Sequence, residues 1–249
     1  GWRKPQMVFV NSMSDLFFEA FAAQEIAAVF GVMAVARRHT FQVLTKRPSL
    51  AADWFAWLTA QADAAGDTEL GVCLTYAANY LAGDAWTRAL HAAGLEGDDP
   101  LTADPWPLRN VWLVTSVENQ ATADERIPHL LRCPAAVRGV SYEPALGPVD
   151  FSRWLPQLHA AGHALPRHQW RGAGVTACHN CGVSAADPGA KRGCPKPGPA
   201  EVAQALGLDW IIAGGESGAG ARPCDLAWLR GAVAQARAAG VPVFVKQLG

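Results

Sequence analysis

Long apolar runs are missing from this chain, and with them the usual means of crossing a membrane. No stretch of its 249 residues approaches the roughly 20 consecutive apolar residues that a membrane helix requires. Trp2-Arg3-Lys4-Pro5 leads directly into a β-forming run, with no apolar signal-peptide core ahead of it. Net charge is nearly absent too: 21 Lys and Arg face 22 Asp and Glu, leaving −1. Such a balance supplies no general basic field for nucleic acid, so composition lends nucleic-acid binding no support. The chain shows no repeat of short period and no low-complexity tract. Six cysteines in a chain of cytoplasmic character argue against a disulfide framework. These absences leave a cytoplasmic globular protein, half hydrophobic and long enough for one barrel-sized domain, as the expectation.

What is present is a rhythm. Six runs of β-formers each end in a polar or charged cluster. Met7–Val10 meets Asn11, Ser12, Ser14 and Asp15; Phe41–Leu44 meets Thr45-Lys46-Arg47; Val111–Val114 meets Thr115-Ser116 and Glu118-Asn119. Arg138–Tyr142 meets Glu143-Pro144, Trp210–Ala213 meets Gly214-Gly215-Glu216-Ser217, and Val241–Val245 meets Lys246-Gln247. Continuous apolar runs fit parallel strands covered by helices on both faces. In a (β/α) barrel the residues just past the strand ends share one mouth, where the chemistry sits. The fold class expected is therefore α/β: a partial, TIM-like (β/α) barrel, with these clusters around one rim.

Helical spacing fills the gaps between runs. Ile26, Val29, Phe30, Met33 and Ala34 lie on one helix face, closed by Arg37-Arg38-His39. Pro48 starts the next helix, Trp54, Phe55 and Leu58 face its core, and Gly66 ends it. Leu70–Leu74 reads as a short strand and residues 83–91 as a helix. A helix over roughly 121–132 turns Ile127, Leu130 and Leu131 inward, and the one after Asp225 does so with Leu226, Leu229 and Val233. Strands are expected at 138–142, 208–213 and 241–245. Three segments follow: residues 1–157 as the first part of the barrel, 158–206 as a Gly-, Pro- and His-rich insertion, and 207–249 as its last part.

Several clusters carry candidate chemistry, each beside a plainer alternative. Gly214-Gly215-Glu216-Ser217 reads as a cradle for a carboxylate, phosphate or amino-acid group, glycine amides approaching the ligand closely; a turn before the next helix is the alternative. Glu118 and Glu143 are suited to dividing acid and base roles across a mouth, or else to capping a helix and pairing with Arg47 or Lys46. Lys46-Arg47 suits an anion, and Lys246 reaches either the mouth or solvent. Cys178, Cys181 and Cys194 are spaced as part of a structural zinc knuckle, although Pro197 stands where a fourth cysteine is expected. His163, His168, His179 and Asp187 are the other available donors. Cys73, Cys133 and Cys224 are scattered and read as core or loop residues.

Taken in order, Val10-Asn11-Ser12-Met13-Ser14-Asp15-Leu16-Phe17, Leu44-Thr45-Lys46-Arg47-Pro48, Ser116-Val117-Glu118-Asn119-Gln120, Ser141-Tyr142-Glu143-Pro144, Gly214-Gly215-Glu216-Ser217-Gly218 and Phe244-Val245-Lys246-Gln247 resemble an uncharacterised phage- and prophage-associated family. Its members are similar to radical S-adenosylmethionine (SAM) enzymes. The resemblance implies a barrel in which three cysteines hold a [4Fe–4S] cluster with one iron open to SAM. By position it implies that Ser116, Glu118, Asn119, Gly214, Gly215, Glu216 and Ser217 contact SAM. Asp15, Lys46, Arg47, Glu143 and Lys246 would then face an unknown substrate. No Cys-x3-Cys-x2-Cys occurs, and the resemblance begins at the family's second strand, so the expectation is either a piece shortened at its N-terminus or a variant that lost the cluster, with no cluster in this chain. Two other functions compete. One is a barrel hydrolase of glycosidase type using Glu143 and Glu216. The other is a non-catalytic phage–host interaction protein docking through residues 158–206.

Overall fold

The computed structural model describes residues 4–81, 84–92, 106–156 and 207–248. Strand β1 (Met7–Val10) leads to helix α1 (Ala23–Val35), β2 (Thr40–Thr45), α2 (Pro48–Ala65), α3 (Glu69–Tyr80) and α4 (Asp84–Ala92). Then come β3 (Val111–Ser116), α5 (Gln120–Arg132), β4 (Val137–Tyr142), a 3-10 turn (Ser152–Trp154), β5 (Trp210–Gly214), α6 (Leu226–Ala238) and β6 (Val243–Gln247). The six strands form one sheet in the order β1-β2-β3-β4-β5-β6, every neighbouring pair parallel.

That order decides where the helices go. Each crossover returns the chain one strand further along, and parallel crossovers share one hand, so the connecting helices collect on one face. The sheet curls into a half-barrel whose other face is a groove. Two-sided helical cover, expected from the apolar runs, is not seen among the described residues. In β2, Phe41, Val43 and Thr45 are buried while Gln42 and Leu44 are half-buried on the other side. Met7, Phe9 and Phe244 stand 59%, 47% and 55% exposed on the groove face. An apolar groove lining and an apolar helix-facing side read alike in sequence, which is why the runs look continuous.

The helical layer has an aromatic centre. Phe30 and Trp54 rings lie 4.6 Å apart, Trp54 and Phe55 4.8 Å, and the Trp54 indole donates to the Ala23 carbonyl at 3.0 Å. Pro48 occupies the first turn of α2, and Gly66 ends that helix in the left-handed region at φ 62°. The strand expected at Leu70–Leu74 is instead the start of α3. Thr68 caps it by accepting from the Gly71 amide at 3.0 Å, and Leu70, Cys73 and Ala77 follow helical spacing into the core. In α6 the buried face is Leu229, Ala232 and Ala236, with Leu226 exposed rather than inward. Helix α1 stops at Val35, ahead of Arg37-Arg38-His39; His39 is buried, its Nδ1 accepting from the Gln6 amide at 3.1 Å. The last strand starts two residues later than expected and includes Lys246 and Gln247. The insertion at 158–206, with Cys178, Cys181, Cys194 and the zinc reading, lies outside the described residues.

Helices α1 and α3 meet at Gly31, where an added Cβ would overlap the Cys73 carbonyl and the Ala77 side chain. Gly31→Ala is expected to destabilise the protein by about 1–3 kcal/mol, because overpacking outweighs the gain in helix propensity. Gly231, in α6, has open space around the same position; Gly231→Ala is expected to stabilise by roughly 0.5–1 kcal/mol. Urea denaturation of the two variants checks both signs.

Candidate functional site at the strand ends

The loop after β1 is built by one carboxylate. Asn11 turns the chain in the left-handed region at φ 58°, and the Ser14 amide donates to its carbonyl at 3.1 Å. Asp15 then accepts from the Phe17 amide (3.0 Å), the Thr45 hydroxyl (2.8 Å), the Lys46 amide (2.9 Å) and Arg47 Nη1 (3.4 Å). It ties the ends of β1 and β2 together. Arg47 is similarly engaged: its Nε donates to Glu19 at 3.0 Å and its guanidinium lies 4.9 Å over the Phe18 ring. Both residues line a rim recess of about 680 Å³ with Asn11, Lys46 and Ser116.

At the end of β3, Glu118 receives Arg126 Nη1 at 3.2 Å and Lys46 Nζ at 3.7 Å. The same Arg126 nitrogen donates to the Ser116 carbonyl at 2.9 Å. Helix α5 is capped not by Glu118 but by Asn119, whose side chain accepts from the Thr122 amide at 3.1 Å. Asn119, placed among the SAM contacts by the resemblance, is thereby committed to starting a helix.

Glu216 is committed as well. Arg222 grips it in two parallel bonds, Nε to Oε2 and Nη2 to Oε1, both 2.8 Å, and the Arg222 amide adds a third at 2.8 Å. These bonds hold the Glu216 carboxyl at about 2, well below the usual carboxylate range. The bonds from Glu216 also raise the Arg222 guanidinium, with a smaller contribution from Glu118. Gly218 and Gly220 take φ of 105° and 80° in the loop that this clasp closes, and Ser217 is exposed.

Glu143 sits differently, because β6 carries a bulge. Ala213 pairs with Val245, but Gly214 pairs with Gln247, skipping Lys246. Consecutive strand residues ordinarily point to opposite faces; the extra residue re-aims them. Lys246 Nζ and Gln247 Nε2 both reach Glu143 Oε1, at 3.0 and 3.1 Å. Gln247 Nε2 also donates to the Gly215 carbonyl at 2.9 Å, and the Gly215 amide donates to the Gln247 carbonyl at 3.1 Å. A Cβ on Gly214 would lie 3.2 Å from that carbonyl and 3.5 Å from Glu143 Cδ, so glycine permits the close approach of the three strand ends. Lys246, not Lys46 or Arg47, is the partner of Glu143.

Below this rim lies a groove of about 930 Å³. Trp112 and Trp210 close its floor edge to face with centroids 5.4 Å apart, and Phe9, Leu44, Ile212 and Phe244 line its walls. Ser116, Ser141, Lys46, Glu143 and Lys246 supply its polar groups. The structure thus gathers Lys46, Ser116, Glu143 and Lys246 around one cavity and places Glu118 beside it. Sequence reasoning assigned no site role to Ser141, Arg126, Arg222 or Gln247. Ser141 had a readable signal, standing two residues before Glu143 and so on the same strand face.

The three described thiols do not fit an iron–sulfur site. Cys73 and Cys133 are buried in the helical layer, where burial raises both, Cys133 to about 12, far from the thiolate form a cluster needs. Cys224 is half-buried and also raised by burial. Among the described residues no three His, Cys, Asp or Glu side chains stand together as metal ligands.

The strand order and the one-sided rim define an α/β protein of half-barrel type with its polar groups at the carboxyl ends of the strands. Across residues 1–249 the chain matches the family described as protein of unknown function DUF5131, and it belongs to that family. No curated protein and no solved structure matches it.

The Glu216 clasp has a pH signature. Its carboxyl is lower in the folded chain than the ordinary 4.5, so its contribution is full above about 4.5 and is lost as pH falls toward about 2. Carboxyl NMR is expected to show Glu216 titrating near 2, returning to the ordinary range in Arg222→Gln. Proteolysis within 215–223 should rise over the same acid window in the native protein.

Proposed function

We propose that this chain is the ligand-binding body of a SAM-using half-barrel enzyme of the radical SAM type. The observation that carries the reading is the convergence of Lys46, Ser116, Glu143 and Lys246, from four strands, on one largely apolar groove. Such a groove suits a ligand with a flat apolar portion and a charged end. The Trp112–Trp210 floor offers adenine an aromatic surface, and the rim offers ammonium and carboxylate groups to an amino-acid moiety. In enzymes of this type a [4Fe–4S] cluster, held by a cysteine triplet, supplies the electron that cleaves SAM. The described thiols do not fit that cluster, and the roles assigned here are only those of the chain's own residues: binding, orienting and keeping water from the groove.

The arrangement supports the glycosidase reading less well. A Glu216 carboxyl gripped by Arg222 and held at about 2 is a poor proton donor at neutral pH. Docking through 158–206 concerns a segment outside the described residues, and no observation favours it.

Titration with SAM, followed by tryptophan fluorescence, tests the proposal. Saturable quenching is expected, shared by S-adenosylhomocysteine, and diminished several-fold in amplitude by Trp112→Phe. No saturable response up to millimolar SAM would overturn it.

A further inference from the structure

One tier of the groove is not explained by charge. Register pairing runs Ser116 to Ser141, Ser141 to Ile212 and Ile212 to Phe244, so four side chains from β3, β4, β5 and β6 form a single row. All four line the groove. Its β3–β4 half is hydroxyl and its β5–β6 half apolar. The two serines are adjacent across strands about 4.8 Å apart, and their residues are 3% and 9% exposed. Neither hydroxyl has a hydrogen-bond partner among the described residues. The residues are buried but their hydroxyls open onto the groove, where water or an arriving group can bond them.

Glu143 stands above them, two residues beyond Ser141 along β4 and on the same face. Lys246 and Gln247 both occupy its Oε1, while Oε2 has no partner among the described residues. The bulge therefore fixes the carboxylate with one oxygen spent and the other available. One acceptor oxygen over two donor–acceptor hydroxyls, beside an apolar wall, complements a ring that carries adjacent hydroxyls on one edge and an apolar face on the other.

We propose that Ser116, Ser141 and Glu143 form a subsite for the vicinal diol of a sugar ring, with Ile212 and Phe244 against the ring's apolar face. The diol comes either from the ribose of a nucleoside or from a free glycoside. The subsite lies in the same groove as the SAM reading and shares Ser116 and Glu143 with it; Ser141, Ile212 and Phe244 are its own, and the ligand series lets either reading fail alone.

Affinities for adenosine, 2′-deoxyadenosine, 3′-deoxyadenosine, methyl α-mannopyranoside and SAM distinguish the possibilities. If the diol is ribose, adenosine binds roughly ten-fold or more tightly than either deoxynucleoside, because a site built for a hydroxyl is left unsatisfied by its absence. Glu143→Gln and Ser141→Ala, checked for unchanged melting temperature, then bring the three nucleosides together by weakening adenosine alone. Should one variant fail to fold, the other decides. Binding of the mannoside without the nucleosides, lost in the same variants, supports a glycoside source. Equal binding of adenosine and its deoxy analogues, a gap that the variants do not change, or binding of neither sugar type overturns the subsite. SAM binding alongside any of those negative results leaves the SAM reading standing; diol discrimination without SAM binding sinks only that reading.

Discussion

The handedness of the crossover connection governs this molecule. Six parallel strands laid down in sequence order require each connection to advance in the same direction, and the shared hand puts the described helices between strands on one side. A sheet covered on one side curls around its uncovered side. All carboxyl ends then converge on one rim, and side chains on alternate residues point into one groove. The chemistry at the rim follows from that geometry. Lys46 and Lys246 come from strands four apart in the sheet, yet both line the same cavity.

A second constraint acts at the rim, where cations and carboxylates have been brought close together. Lys46 and Arg126 share Glu118, Arg222 holds Glu216, and Lys246 with Gln247 holds Glu143. The more exposed of these pairs, such as Arg222 with Glu216, add little to stability. Their effect is on orientation: a carboxylate bonded through one oxygen keeps the other in a fixed direction, and an ammonium with one acceptor retains two donors. The rim is consequently arranged before any ligand arrives, which reduces the ordering cost of binding. Glu216 differs from Glu143 because Arg222 occupies both of its oxygens. Two glutamates that look equivalent as strand-end acids are separated by what their second oxygen touches.

Much of the fold was legible in the sequence, because strand and helix have different periods and the boundaries carry Pro48, Gly66 and Asp225 at helix starts and stops. Helix α3 was misread because Leu70–Leu74 is too short a window to separate a strand from a buried helix turn. One-sided cover was not legible, since Met7, Phe9 and Phe244 are apolar although they line a groove. At the rim, the positions of Lys46, Glu143 and Lys246 follow from strand ends alone. The tasks of Asp15 and Asn119 do not: each is a short polar side chain just past a strand, and ligand contact and backbone contact favour the same residue types there. Gln247 could not be assigned from alternation, because only the skipped register of β6 turns it toward the same carboxylate as its neighbour.

The opposite end of the sheet provides a contrast that sharpens the reading of the rim. Arg138 is buried near the start of β4, its Nε donating to the Cys133 carbonyl at 2.9 Å, while its amide donates to Asp209 at 2.8 Å. Burial lowers the Arg138 guanidinium and raises the Asp209 carboxyl, each driven toward its neutral form by lost hydration. These groups bond to backbone and join β4 to the segment entering β5. The charges at the carboxyl ends bond chiefly to one another across strands and keep donors and acceptors facing an open groove. A polar group whose bonds all return to the main chain stabilises a fold. One that keeps an oxygen or a hydroxyl directed at a cavity, as Glu143, Ser116 and Ser141 do, is left to water or to whatever enters the groove.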